Sequence, residues 1–119
     1  MMIKKKTPGA LMAAESAECM AVFAASASQS VNPAKLGRPK ALYTIARGSS
    51  DAAANILSDA SMREHGIPVP SLPPSVFSLG NGVALEDAGA MVISQSGASN
   101  DLVQSAKGAA KAGAKVLAI

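Results

Sequence analysis

Short apolar runs that alternate with helical segments constrain this sequence most. Residues 41–46 and 90–94 are apolar runs, and each is followed directly by a loop rich in glycine and serine. Residues 51–64 and 100–112 then carry apolar side chains at helical spacing, and residues 114–119 form a third apolar run. Runs of this length are typical of strands buried on both faces of a parallel sheet. The alternation predicts an α/β fold with a doubly wound parallel sheet and crossover helices.

The remaining segments fit around this pattern. Residues 9–29 are predicted to form a helix, and the proline-rich stretch 67–88 leaves room for a brief edge strand with a turn at Asn81-Gly82. Gly66 and Gly113 are expected to end the two crossover helices, and Ser49 or Ser50 to cap the first of them. The expected inward-facing residues of these two helices are Ala53, Ile56, Leu57 and Ala60, and Leu102, Val103, Ala106 and Ala110.

Composition limits the chemistry that this chain can perform. Ala, Ser and Gly supply 50 of 119 residues, and aromatic residues only 3%, so the core must be built from small side chains. One cysteine (Cys19) and one histidine (His65) exclude a disulfide framework and a structural zinc site. No metal or cofactor is expected. Cys19 is interpreted as a small core residue, and His65 as a helix-end residue without a catalytic role.

The charge balance gives little reason to expect a nucleic-acid partner. The formal net charge is +3, and without the run Lys4–Lys6 the chain has eight basic and eight acidic residues. No basic stripe is interleaved with aromatic residues. The first 30 residues imitate a signal peptide, but Glu15 and Glu18 interrupt its apolar region, and no window reaches the ~20 apolar residues of a membrane span. This segment is therefore predicted to be a cytosolic amphipathic helix whose apolar face contains Leu11, Ala14, Val22 and Ala25, with both glutamates off that face.

Two loops are the candidates for a functional site. Residues 47–50 and 94–99 each leave the carboxyl end of a predicted strand and open a helix, and ligands bind at such positions in open parallel sheets. If the two strands are neighbours, hydroxyl groups and the backbone N–H groups of two helix starts form a cradle for a phosphate. The alternative is that the serines only cap helices and form turns. Arg47 also has two interpretations, since it can steer an anionic ligand or pair with Asp51.

At these loops the sequence resembles a known family. The pattern Ser94-Gln95-Ser96-Gly97-x-Ser99-x-Asp101 resembles the SQSGxTxD signature of the SIS (sugar isomerase) domain. The segment from Ile45 to Asp51 resembles the first phosphate loop of that domain, and residues 112–119 resemble the helix-to-strand passage that follows the signature. With Pro74-Ser75-Val76, the first loop is similar to proteins with two SIS domains. These proteins are related to the isomerase half of glucosamine-6-phosphate synthase, and the branch described as glucosamine-6-phosphate deaminases is the most similar.

The resemblance implies a flavodoxin-like sheet that binds a sugar phosphate. Residues 1–30 are then an N-terminal helical segment, and residues 31–119 the first part of an SIS domain that is incomplete at its C-terminus. The implied phosphate-binding residues are Gly48, Ser49, Ser50, Ser94, Gln95, Ser96 and Ser99. The sequence departs from the family at Ala98, where a Glu is common, and at Ala52, where the deaminase-like branch often has a bulkier residue.

The implied activity is that of a cytoplasmic, homodimeric phosphosugar isomerase or deaminase acting on an amino-hexose 6-phosphate. No catalytic residue is assigned, because the proton-transfer groups of the family come from later in the chain or from a neighbouring subunit. SIS domains also serve as sugar-phosphate sensors in transcriptional regulators. Those proteins usually carry a helix-turn-helix domain first, and residues 1–30 offer only one helix. A third possibility is an inactive fragment.

Overall fold

The computed structural model describes residues 7–119, so the run Lys4–Lys6 lies outside the described residues. The chain divides into two compact units, one ending at Asn32 and the other spanning Pro33–Ile119. The elements in chain order are α1 (Ala10–Ala27), a 3₁₀ turn (Pro33–Leu36), β1 (Ala41–Ile45), α2 (Gly48–His65), α3 (Ser75–Ser78), β2 (Ala88–Val92), α4 (Asn100–Lys111) and β3 (Lys115–Ala118).

The first unit is the single helix α1. Its 18 residues are all exposed, so the prediction of Cys19 as a core residue is wrong. The predicted apolar face is wrong as well. Because residues four apart share a helix face, Glu18 lies between Ala14 and Val22 on that face. By length and composition α1 could cross a membrane, but a signal sequence near an N-terminus or a core helix of a soluble protein passes the same test.

The second unit contains the predicted parallel sheet. Its strand order is β1-β2-β3, and both pairings are parallel. All five residues of β2 are buried. Ala90 and Val92 belong to one buried cluster and Met91, which points to the opposite face, belongs to another. The α/β fold class is therefore confirmed. β3 lies at the edge of the sheet with exposed or half-buried side chains, so its predicted burial on both faces is wrong.

Helix α4 covers one face of the sheet. Leu102 and Ala109 join a buried cluster with Ile45 and Ala90 from the two neighbouring strands. Ser105 on the same helix is fully buried, and its hydroxyl donates to the Asp101 carbonyl at 2.7 Å, which offsets the cost of burying a polar group. Two of the predicted inward residues, Val103 and Ala106, are half-buried, and Ala110 is exposed.

Helix α2 buries a different face from the predicted one. Ala54 and Ser58 are its buried residues, whereas Ile56 is 73% exposed and Leu57 37% exposed. Because both buried residues are small, apolar bulk is a poor guide to which face of this helix turns inward. The predicted end of the helix is confirmed, since Gly66 adopts a left-handed conformation with a φ of 67°.

The proline-rich segment contributes one bridge to the sheet edge. Thr44 in β1 accepts a hydrogen bond from the Leu72 N–H at 2.8 Å and donates its own N–H to the Pro70 carbonyl at 3.0 Å. This isolated parallel bridge to Ser71 takes the place of the predicted brief strand. The short helix α3, which the sequence analysis missed, follows it.

Candidate functional site

The two glycine- and serine-rich loops lie side by side at the carboxyl edge of the sheet. β1 and β2 are direct neighbours, and the last residues of the two strands, Ile45 and Val92, are register partners. The Ile93 N–H donates to the Ile45 carbonyl at 3.0 Å, which continues the pairing one step beyond β2. The condition under which the two loops were predicted to face a common crevice is therefore met.

One cavity of about 340 Å³ lies between these loops. Four lining residues come from the first turn of α2 and its N-cap, four from the loop before α4, and one from α4 itself. The lining residues are Arg47, Gly48, Ser49, Ser50, Ser94, Gln95, Ser96, Ser99 and Leu102. All seven predicted site residues are thus brought together, and Arg47 and Leu102 are added to them.

The first loop turns sharply into α2. Gly48 has a φ of 56°, in the left-handed region where a side chain is disfavoured. The helix begins at Gly48, with Arg47 as its N-cap, and Ser49 and Ser50 lie inside the first turn. The prediction that one of these serines caps the helix is wrong. Neither hydroxyl has a hydrogen-bond partner among the described residues, so both are available to a ligand.

In the second loop, two serine side chains support the backbone. The Gly97 N–H donates to Ser94 Oγ at 3.0 Å, and the Ala98 N–H donates to Ser96 Oγ at 3.3 Å. These two serines therefore stabilise turns, which is one part of the alternative interpretation of the loops. A hydroxyl that accepts a hydrogen bond keeps its own proton to donate. Ser94 and Ser96 can consequently shape the loop and donate to an anion at the same time.

Both helix starts at the cavity lack a side-chain cap. Arg47 precedes α2 and Ser99 precedes α4, and neither side chain makes a capping hydrogen bond. The N–H groups of a first helical turn have no partner within their own helix, and the helix dipole adds partial positive charge there. Two such ends beside one cavity favour the binding of an anion.

An ion pair connects the two loops. Arg47 Nη1 donates to Asp101 Oδ2 at 2.6 Å, which joins the start of α2 to the first turn of α4. The alternative pairing of Arg47 with Asp51 is wrong, because the Asp51 carboxylate instead accepts a long hydrogen bond of 3.4 Å from the Ser71 hydroxyl. No local sequence pattern indicates the Arg47–Asp101 pair, because the two residues are 54 positions apart.

The chemistry of the lining is that of a binding site. Hydroxyls, one amide, backbone donors and one guanidinium line the cavity, and the lining residues include no carboxylate, imidazole or thiol. His65 is the last residue of α2, at the opposite end of the helix from the cavity. Residues 7–119 also contain no group of three or more His, Cys, Asp or Glu side chains that could hold a metal ion.

Comparison with solved structures places this fold among known proteins. The chain superposes on a protein of Silicibacter pomeroyi with a TM-score of 0.67 and 35% identity, over 90% of this chain. That protein is described as a putative phosphosugar isomerase. The chain has an SIS-like fold. It spans 31% of the Silicibacter protein and is therefore similar to only part of it.

Two more distant structures share the fold. A protein of Bacteroides fragilis, described as a putative phosphosugar isomerase involved in capsule formation, matches 91% of this chain at 20% identity, with a TM-score of 0.62. A sugar-phosphate isomerase-like protein of Listeria monocytogenes matches 71% at 23% identity, with a TM-score of 0.58. The chain spans 63% and 45% of these two proteins. No protein-family model and no curated protein matches the sequence.

Proposed function

We propose that this chain is the sugar-phosphate-binding part of a phosphosugar isomerase of the SIS class. The observation that carries the proposal is the single cavity formed by two loops at the carboxyl ends of adjacent parallel strands. The 35% identity to the Silicibacter pomeroyi protein supports the same function. Three residues of the SQSG pattern that carries the family resemblance, Ser94, Gln95 and Ser96, line this cavity.

The phosphate group would be held by neutral donors. The hydroxyls of Ser50, Ser94, Ser96 and Ser99 and the amide of Gln95 can each donate to a phosphate oxygen. Gly48 and Ser49 shape the first loop and bring backbone N–H groups close to the ligand. Because the two helix dipoles point their positive ends at this place, the cradle binds an anion without a lysine among its lining residues.

The family resemblance is the basis on which we propose a specific substrate and reaction. The ligand is an amino-hexose 6-phosphate such as glucosamine 6-phosphate, and the reaction is aldose–ketose isomerisation or deamination. Ring opening and proton transfer between C1 and C2 require an acid–base group. The cavity lining holds none. In line with the family resemblance, we assign phosphate binding to the described residues, and the acid–base groups to later residues or a neighbouring subunit of a homodimeric, cytoplasmic enzyme.

A thermal-shift titration tests the binding function. Glucosamine 6-phosphate should raise the melting temperature of the chain in a saturable way, because a ligand that binds only the folded state stabilises it. Glucosamine and inorganic phosphate serve as ligand controls. Ser96→Ala and Ser99→Ala should abolish most of the shift, whereas Ser75→Ala, at an exposed serine of α3 away from the cavity, should retain it. No shift in the wild type, or equal shifts in all variants, would contradict the proposal.

The proposed reaction is tested separately, in an activity assay of the full-length polypeptide. We expect ketose–aldose interconversion or ammonia release with at least one hexosamine phosphate, and loss of affinity rather than of chemistry in Ser96→Ala. Absence of both reactions with every hexosamine phosphate would exclude the enzymatic function. The thermal-shift titration would then be the remaining test of the binding function.

A further inference from the structure

Arg47 is the one cation among the nine residues that line the cavity. It lies between the end of β1 and the start of α2, and its side chain is 63% exposed. The family resemblance assigns serine, glutamine and glycine residues to the phosphate but assigns nothing to this position. A charged donor beside neutral donors changes what kind of anion the site prefers.

Asp101 fixes Arg47 at the boundary between the two loops. Its Oδ2 accepts the bond from Arg47 Nη1 at 2.6 Å, while its Oδ1 accepts the Leu102 N–H at 3.0 Å. The Asp101 side chain is only 24% exposed and lies in the first turn of α4, where the helix dipole favours a negative charge. The aspartate is thus held by α4, and it in turn holds the guanidinium.

A guanidinium group has five N–H donors, and the bond to Asp101 uses only one of its nitrogens. The remaining donors belong to a group that lines the cavity and is held in place by its partner. We propose that Arg47 is a further phosphate-binding residue, which donates to the phosphate while it remains paired with Asp101. This inference rests on the proposed function, because it assumes that a sugar phosphate occupies the cavity.

The role has a consequence for selectivity. A phosphate monoester carries close to two negative charges at neutral pH, whereas a sulfate ester carries one. Neutral donors and helix dipoles can hold either group, but a cationic donor favours the more highly charged one. Arg47 should therefore determine the preference for phosphate over sulfate esters of the same sugar.

The opposing interpretation is that Arg47 only ties the loops together. In that case its effect on the ligand passes entirely through Asp101, and removal of either partner should weaken binding equally. If Arg47 contacts the phosphate itself, its removal should cost much more affinity than removal of the Asp101 charge. The two interpretations therefore predict different rankings of the same variants.

Titration calorimetry with glucosamine 6-phosphate and glucosamine 6-sulfate tests the proposal. Arg47→Ala should weaken phosphate-ester binding by about ten- to a hundredfold, the usual range for a hydrogen bond to a charged group. Sulfate-ester binding should weaken less, so that the ratio of the two affinities falls. Arg47→Lys keeps the charge but loses the planar fork and should retain part of the preference. Arg63→Ala is the matched control, because Arg63 forms an exposed ion pair with Asp59 on α2.

Asp101→Asn, with Asp59→Asn as its control, distinguishes a direct contact between Arg47 and the phosphate from a role of Arg47 in holding the two loops together. We expect a smaller loss than in Arg47→Ala, or a gain where the freed guanidinium donates more fully to the phosphate. A loss as large as that of Arg47→Ala, or an unchanged affinity ratio in Arg47→Ala, would overturn the proposal. Failure of the wild type to bind would instead contradict the proposed function. Binding that is lost in Ser96→Ala but kept in Arg47→Ala would contradict this inference alone.

Discussion

At the scale of single residues, Asp87 adopts a backbone conformation that the sequence pattern does not predict. Asp87 has a φ of 61° and is the one non-glycine residue with a positive φ among residues 7–119. Asp87 lies directly before β2. Its carboxylate forms an exposed ion pair, at 2.8 Å, with Lys40, the residue that precedes β1. The hydrogen bond from Lys40, assisted by its charge, lowers the pKa of Asp87. Asp87 therefore forms the turn into the central strand β2 and also an ion pair with the residue before the neighbouring strand β1.

Two substitutions of Asp87 separate these roles. Asp87→Gly and Asp87→Ala both remove the ion pair, but only alanine must adopt the left-handed conformation against its side chain. We expect Asp87→Ala to be less stable than Asp87→Gly by about 1 kcal/mol. The measurement is the free energy of unfolding from urea titrations of both variants. An alanine variant at least as stable as the glycine variant would show that the backbone strain is absent.

At the scale of elements, the sequence predicted which segments form strands and helices better than how they pack. β1, β2, α2 and α4 all appear, because apolar runs and turn residues are local signals. The buried face of α2 was misassigned, since Ala54 and Ser58 carry no apolar bulk that would distinguish them. Packing between elements depends on how closely two backbones approach, and that distance is a property of the folded molecule.

Gly108 shows how such close approach constrains α4. A Cβ atom at this position would lie 2.7 Å from Cδ1 of Phe77, which packs against the main core. Alanine is favoured over glycine inside a helix by about 1 kcal/mol. We nevertheless expect Gly108→Ala to destabilise the fold, because Phe77 must move from its packed position. In a urea-denaturation cycle, the smaller residue in Phe77→Leu should make the same glycine substitution less costly. Additive effects in that cycle would exclude the proposed clash.

At the scale of the whole molecule, the candidate site is a product of strand order. The sequence could show that two polar loops follow two apolar runs, and the resemblance named the residues in them. It could not show that the runs are neighbours, because pairing between β1 and β2 joins residues almost fifty positions apart. For the same reason the ion-pair partner considered for Arg47 was Asp51, four residues away, rather than Asp101. Residues within one loop were predictable, and contacts between the loops were not.

Since both loops line one cavity, a ligand should protect them together. We expect glucosamine 6-phosphate to slow amide hydrogen exchange at Gly48 and Ser49 and also at residues 95–98, measured by mass spectrometry or NMR. The turns at Gly66 and Gly82 do not line the cavity and serve as internal controls. Ser96→Ala should reduce protection in both loops, although Ser96 belongs to only one of them. Protection confined to the second loop would mean that the ligand binds at the start of α4 alone, and the shared cavity would then not be the binding site.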